Sequence, residues 1–163
     1  MRKGLLTAII AQLLVLRPVF CAEITTAVVW SGDHRVTETL TVLPSGTLTV
    51  DPGTTVEIAT DASILVYGNI AARGKPGRPI IFTRVGHTSG TGYWGKILLD
   101  EAVGENRFSF CEFWYGNGDQ DAIDTCDGVI TAYASRLTVF ACTTYHFLGD
   151  FLNVWTGSDA TVL

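Results

Sequence analysis

The sequence predicts an all-β chain wound as a solenoid, and three observations carry that prediction. Short apolar pulses recur through Leu40–Phe82, turn chemistry separates them, and taken in threes they repeat at a nearly constant interval. The pulses are Leu40/Val42, Leu48/Val50, Val56/Ile58, Ile64/Val66, Ile70/Ala72 and Ile80/Phe82. Members of each pair stand two residues apart, which puts both side chains on one face of a strand. Between them lie Pro44-Ser45-Gly46, Asp51-Pro52-Gly53, Gly68-Asn69 and Gly74-Lys75-Pro76-Gly77. These are residues that turn a chain rather than continue a helix.

The interval gives the architecture. Leu40 recurs as Ile64, Leu48 as Ile70 and Val56 as Ile80, so each pulse returns after about two dozen positions. Three strands in a turn of ~20–30 residues suit a right-handed parallel β-helix, whose repeats bury their apolar faces only against one another. A third coil is expected from Ile97–Leu99, Phe108–Phe110 and Ala122-Ile123, and a fourth from Val129-Ile130, Leu137–Val139 and Phe151-Leu152. Ile97 then recurs as Ile130, Phe110 as Val139 and Ile123 as Leu152, wider steps with insertions at Arg84–Trp94, Asp100–Arg107 and Tyr115–Gln120. About four coils result. No stretch from Glu23 onward holds a 3.6-residue apolar period, and Thr, Val, Ile and aromatics fill the pulses. A β-sandwich is the structural rival, but eight-residue spacing with two- or three-residue turns is tight for sandwich strands.

The first residues stand apart from this pattern. Arg2 and Lys3 precede an apolar run of twelve, Leu5–Leu16, which Arg17 ends. A basic start, a short apolar core and small residues at Cys21 and Ala22 have the layout of a secretory signal peptide, too short for a span of ~20 residues. The expected organisation is a signal peptide over residues 1–22 and a β-helix domain over 23–163, exported to the cell surface, the periplasm or the medium. Subtracting Arg2, Lys3 and Arg17 from eleven cations leaves eight Lys and Arg against sixteen Asp and Glu. A surface so acidic, without a basic cluster, disfavours nucleic acid and anionic membranes.

Tyr93-Trp94 and Trp114-Tyr115 both border insertion loops. Exposed, such pairs stack on sugar rings; buried, they cap the solenoid edge, and Tyr and Trp suit both places. The run from Gly116 to Gly128 holds Asp119, Asp121, Asp124 and Asp127, four carboxylates within nine residues. They offer either a calcium site, since calcium takes several oxygen ligands, or a solvated acidic loop. No cofactor other than calcium is suggested. Cys111, Cys126 and Cys142 follow the signal segment, and an odd number leaves one thiol without a partner in its own chain. Cys142 and His146 alone are too few for zinc. If the coil register equals the separation of Cys111 from Cys142, their sulfurs stack on neighbouring coils as a candidate disulfide. Gly90–Ile97 almost spells a phosphate-binding loop, but Ile97 stands where the hydroxyl is needed and a strand follows.

Several of these motifs are shared with a known family. Thr39–Val50 with its two turns, Gly68–Ala72, Pro79–Thr83 and Trp94-Gly95 resemble secreted bacterial right-handed β-helix proteins of the pectin-lyase-like superfamily, over about Trp30 to Leu152. Lys96 departs from the family, which often has a second Gly there. The resemblance implies the fold, and it implies that Asp121 and Asp124 face outward beside an inward Ile123. Patterns of its catalytic members are missing: there is no Asp-Asp, His146 follows Tyr145, and Arg73 and Arg78 lie in a turn-rich connection. The expected function is therefore a non-catalytic surface module that binds polysaccharide or another cell-envelope component. The alternative is a fragment of a polysaccharide lyase or glycoside hydrolase. The apolar close, Phe151–Trp155 and Thr161–Leu163, offers no cap; the expected reading is a fragment of a longer β-helix, with self-association through an open last coil as the alternative.

Overall fold

The computed structural model describes residues 22–118 and 128–163. Residues 1–21 of the expected signal peptide, the aspartates Asp119, Asp121, Asp124 and Asp127, the expected Ala122-Ile123 strand and Cys126 lie outside the described residues.

Seventeen strands, numbered in chain order, make three sheets and no helix among the described residues. The first sheet stacks β1 (Ala22–Ile24), β4 (Leu40–Val42), β7 (Ile64–Val66), β10 (Ile97–Asp100), β13 (Gly128–Tyr133) and β16 (Asp150–Val154). The second stacks β2 (Ala27–Trp30), β5 (Thr47–Val50), β8 (Asn69–Arg73), β11 (Glu105–Ser109), β14 (Arg136–Phe140) and β17 (Asp159–Val162). The third stacks β3 (Asp33–Val36), β6 (Thr55–Ile58), β9 (Ile80–Arg84), β12 (Cys111–Trp114) and β15 (Thr143–Tyr145). All pairings are parallel. The chain visits each sheet in turn and returns to the first one level on, the arrangement expected of a parallel β-helix rather than of two facing antiparallel layers.

The register follows the apolar spacing where turns are well marked. Leu40 pairs with Ile64, Leu48 with Ile70 and Ile97 with Ile130. Three details differ from the sequence expectation. Val56 lies beside Phe82, not Ile80. Eight residues separate Ala72 from Ile81 where four separate their partners Val50 and Thr55, because Lys75 and Arg78 close a small turn through N–H···O bonds of 3.1 and 2.9 Å. An even slip keeps the inward face inward. Phe108, not Phe110, pairs with Val139, and the strand that completes that coil is β12, directly after the corner. Phe151-Leu152 belongs to β16 of the first sheet, where Leu152 pairs with Ile130. Stacking also runs beyond four levels, since β1–β3 form a layer ahead of Leu40.

Inward side chains form columns through the coils. Leu48, Val56, Ile58, Ile64, Ile70, Phe82, Ile97, Phe108 and Phe113 have no solvent exposure. Phe82 and Phe113 stack with centroids 5.1 Å apart, and Phe108 meets both at steep angles. Each such side chain contributes ~1.5–3 kcal/mol by leaving water. The corners must be narrow for the columns to register: at Gly68 a Cβ would run into the backbone oxygens of Leu43 and Gly46. Alternation along each strand sends the other residues outward, and on the third sheet they form the candidate site.

Candidate functional site

Two outward columns run down the third sheet. Thr55, Ile81, Glu112 and Thr143 form one. The other starts with Arg35 beside Glu57 and ends with Trp114 beside Tyr145, with Thr83 between by continuation of the same register. A third row lies at the strand ends, where Arg84, Tyr115 and His146 follow one another at the same station of successive coils.

The lower half of this face is a two-stack aromatic ladder. Trp114 and Tyr145 lie face to face, centroids 4.0 Å apart and 20° from parallel. Beside them Tyr115 stacks on His146 at 5.4 Å, and the Arg84 guanidinium carbon sits 3.8 Å from the Tyr115 ring centroid. This is a cation–π contact of the kind arginine favours. Arg84 also donates from Nη1 to the Gly92 carbonyl at 2.9 Å. His87 meets Trp114 and Tyr115 at steep angles, 5.1 and 5.7 Å between centroids, and its Nδ1 shares a 2.6 Å hydrogen bond with Thr83 Oγ1.

The ladder stops at Trp114 because the preceding coil carries Thr83 at that station, a side chain too small to continue it. That step opens a cleft of about 270 Å³. Trp114 walls one end, Ile81, Thr83 and Thr55 form the floor, and Glu57, Glu112 and His87 supply polar edges. Tyr145 covers the indole from the following coil, so the cleft lies on the side of the earlier ones. The Trp114 indole N–H donates to Glu112 Oε2 at 3.1 Å and fixes the carboxylate beside the ring. Arg35 holds Glu57 through Nη2 at 2.7 Å and Nε at 3.2 Å. With Arg35 59% exposed, that pair is worth ~0–1 kcal/mol and serves mainly to position the carboxylate.

The structure separates the four aromatic candidates. Trp94 is fully buried, and its indole N–H donates to the Trp114 carbonyl at 2.7 Å, so it packs the edge of the solenoid and props up the strand that carries Trp114. Tyr93 lies half-buried, its ring 6.5 Å from Tyr115. Trp114 and Tyr115 are half-buried within the ladder. Glu57, Arg84, His87, Glu112, Tyr145 and His146 join them, and sequence reasoning picks out none of these six. The coil interval alone points to two: the step that carries Glu112 onto Thr143 also carries Trp114 onto Tyr145 and Tyr115 onto His146.

Cys111 and Cys142 do share a station on neighbouring coils, because they directly precede the paired residues Glu112 and Thr143. Both are thiols, with Cys111 buried and Cys142 partly so. The Cys111 thiol donates to the Ser109 and Ala72 carbonyls at 3.4 and 3.6 Å, while the neighbouring Cys142 sulfur, then burial, drives it well above its ordinary range. The Cys142 thiol donates to the Phe140 carbonyl at 3.5 Å, and its neighbour Cys111 lowers it despite its burial. Among the described residues no group of three His, Cys, Asp or Glu side chains is placed to hold a metal ion. Nor is any helix among them long and apolar enough to cross a membrane.

Comparison with protein-family models, with curated proteins and with solved structures finds no match to this chain.

Proposed function

We propose that this chain is an exported, non-catalytic right-handed β-helix module of pectin-lyase-like type, and that it binds polysaccharide along the outer face of its third sheet. One observation carries the reading: Trp114 ends an aromatic ladder and turns its remaining side to a cleft edged by hydrogen-bonding groups. Sugar rings have an apolar face and a polar rim, and an aromatic wall beside carboxylate, hydroxyl and imidazole groups matches both. The ladder is preorganised by Tyr145, Trp94 and the Glu112 contact, so little side-chain freedom is lost on binding. The face also runs along the solenoid axis, the direction in which a linear polymer can lie. The sequence supports export through the layout of residues 1–22.

Affinity electrophoresis in gels containing soluble polysaccharides tests this. Retardation by at least one polymer, lost in Trp114→Ala, is the expected result. Migration of the wild-type protein unaffected by every neutral, acidic and basic polymer would overturn it. Release of reducing ends or unsaturated sugars would instead support the lyase or hydrolase alternative.

A further inference from the structure

We propose that the cleft between Trp114 and Glu57 selects sugar rings that carry a free, protonated amino group. This rests on the glycan-binding reading above and names the class of glycan. The argument is one of charge within a small space. Two carboxylates, Glu57 and Glu112, edge the cleft, and among the described residues no Lys or Arg side chain lines it. Arg35 neutralises Glu57 from the neighbouring strand, through the 2.7 Å contact. Glu112 accepts from the Trp114 indole, a neutral donor, which aims the carboxylate without cancelling its charge. Lys75 shares a separate hollow with Glu112 beyond the cleft, and the two form no ion pair. Arg84, on the other side, is turned onto the Tyr115 ring and anchored to the Gly92 carbonyl. Thr83 and His87 are engaged with each other.

What remains is one carboxylate without an ionic partner beside an aromatic face. An ammonium group there gains a charge-assisted hydrogen bond to Glu112 and a favourable position against the indole. A uronate would bring its carboxylate against two of the same sign. A neutral or N-acetylated ring would keep the stacking and leave Glu112 without its ionic partner. The volume, about 270 Å³, lies just under the ~300–1,000 Å³ of pockets for drug-sized ligands, which suits a single ring of a longer chain. The net charge of −5 for the whole sequence favours approach of a polycation over a polyanion.

The test compares three hexamers by calorimetry at low salt: β-1,4-linked glucosamine, its N-acetylated counterpart, and the neutral β-1,4-glucan. The expected result is binding of the glucosamine hexamer about tenfold tighter than either of the others. Glu112→Gln, which keeps the shape and an acceptor for the indole, should erase that preference and leave the weaker stacking affinity. Equal binding of the three hexamers, or a preference surviving in Glu112→Gln, overturns the amino-sugar inference while the glycan reading stands. Binding of none of these, together with none of the polymers in the gel assay, overturns both. Hexalysine bound as tightly as the glucosamine hexamer and indifferent to Trp114→Ala would show a site that reads charge alone, and would also overturn the inference.

Discussion

Trp114 and Tyr145 belong to successive coils, and their rings lie face to face with centroids 4.0 Å apart. The contact exists because β12 and β15 pair in parallel register, which lays identical stations of successive coils on top of one another. The same register stacks Tyr115 on His146, and the corner before β12 brings Phe110 beside Phe140. The solenoid thus turns a sequence interval into a ladder, and the place where a ladder is interrupted becomes a cleft.

The two rings of this pair should separate stability from binding. Tyr145→Ala removes the cover on one side of Trp114 and leaves the cleft side intact. A loss of about 1 kcal/mol of stability is expected from the missing stack, with binding to the retarding polysaccharide weakened only a few-fold. Trp114→Ala removes the binding wall itself, and retardation should vanish. Equilibrium denaturation alongside the gel assay checks both. Tyr145→Ala proteins that fold normally yet lose all binding would place the ligand on the other end of the ladder.

Asn106 is the polar residue on which three coils depend. It is fully buried, its Oδ1 accepts from the Ile70 N–H at 2.9 Å, and its Nδ2 donates to the Arg136 carbonyl at 3.2 Å. Asn106→Leu leaves the Ile70 N–H without its partner inside the core and removes the part-buried bond to the Arg136 carbonyl. A buried group left without a partner costs about 1–3 kcal/mol, so a loss of roughly 2 kcal/mol or more is expected in urea unfolding. Asn106→Ser, which keeps one short donor and acceptor, should recover part of it.

Backbone strain recurs at coil intervals. Glu101 and Ala134 have φ of 47° and 44°, Phe110 and Ala141 have 48° and 49°, and Tyr115 and His146 have 60° and 50°. Members of each pair stand one coil apart, so the corner geometry imposes the conformation and the side chain adapts. A left-handed residue other than Gly costs roughly 1–2 kcal/mol. Ala134 is exposed, so Ala134→Gly relieves this cost without opening a cavity. Part of the gain is offset by the freer unfolded chain, leaving a net stabilisation of about 0.5–1 kcal/mol. Thermal and urea unfolding should both show the increase.

These corners also explain which parts of the molecule can be read from sequence. Where Pro44-Ser45-Gly46 and Gly68-Asn69 announce a turn, the pairing of Leu40 with Ile64 and Leu48 with Ile70 follows from the apolar spacing. Between β11 and β12 the turn is Phe110 alone, an aromatic at positive φ, and nothing marks it. An apolar residue at a corner reads as part of a strand, so β12 escapes notice and the third strand of that coil is sought too late, at Ala122-Ile123. The site is half-legible for a related reason. Trp114 and Tyr115 stand out locally, but Glu57 and Tyr145 reach the same face from other coils, and only the correct register assembles them.

The sulfur pair offers the sharpest test of that register. With Cys111 and Cys142 at one station of neighbouring coils, glutathione disulfide should convert them to an intramolecular bridge. Each bridge releases two glutathione thiols: the Cys142 thiolate attacks the oxidant, one glutathione leaves, and Cys111 then displaces the second as it gives up its proton. Cys142, lowered by its neighbour Cys111, should be alkylated before Cys111 as pH rises toward the ordinary cysteine range. Cys111, raised and buried, should stay protonated and unreactive through that range in the folded protein. Closing a loop of this length constrains the unfolded chain by roughly 3–4 kcal/mol in the chain-entropy description, if the bridge forms without distortion. In a Cys126→Ser background, non-reducing peptide mapping should recover a Cys111–Cys142 peptide, and the oxidised protein should unfold at higher urea than the reduced one. A bridge found only between chains would refute the shared station and with it the register that also builds the Trp114–Tyr145 ladder; alkylation of Cys111 before Cys142 would reverse the roles of the two thiols and leave that register standing.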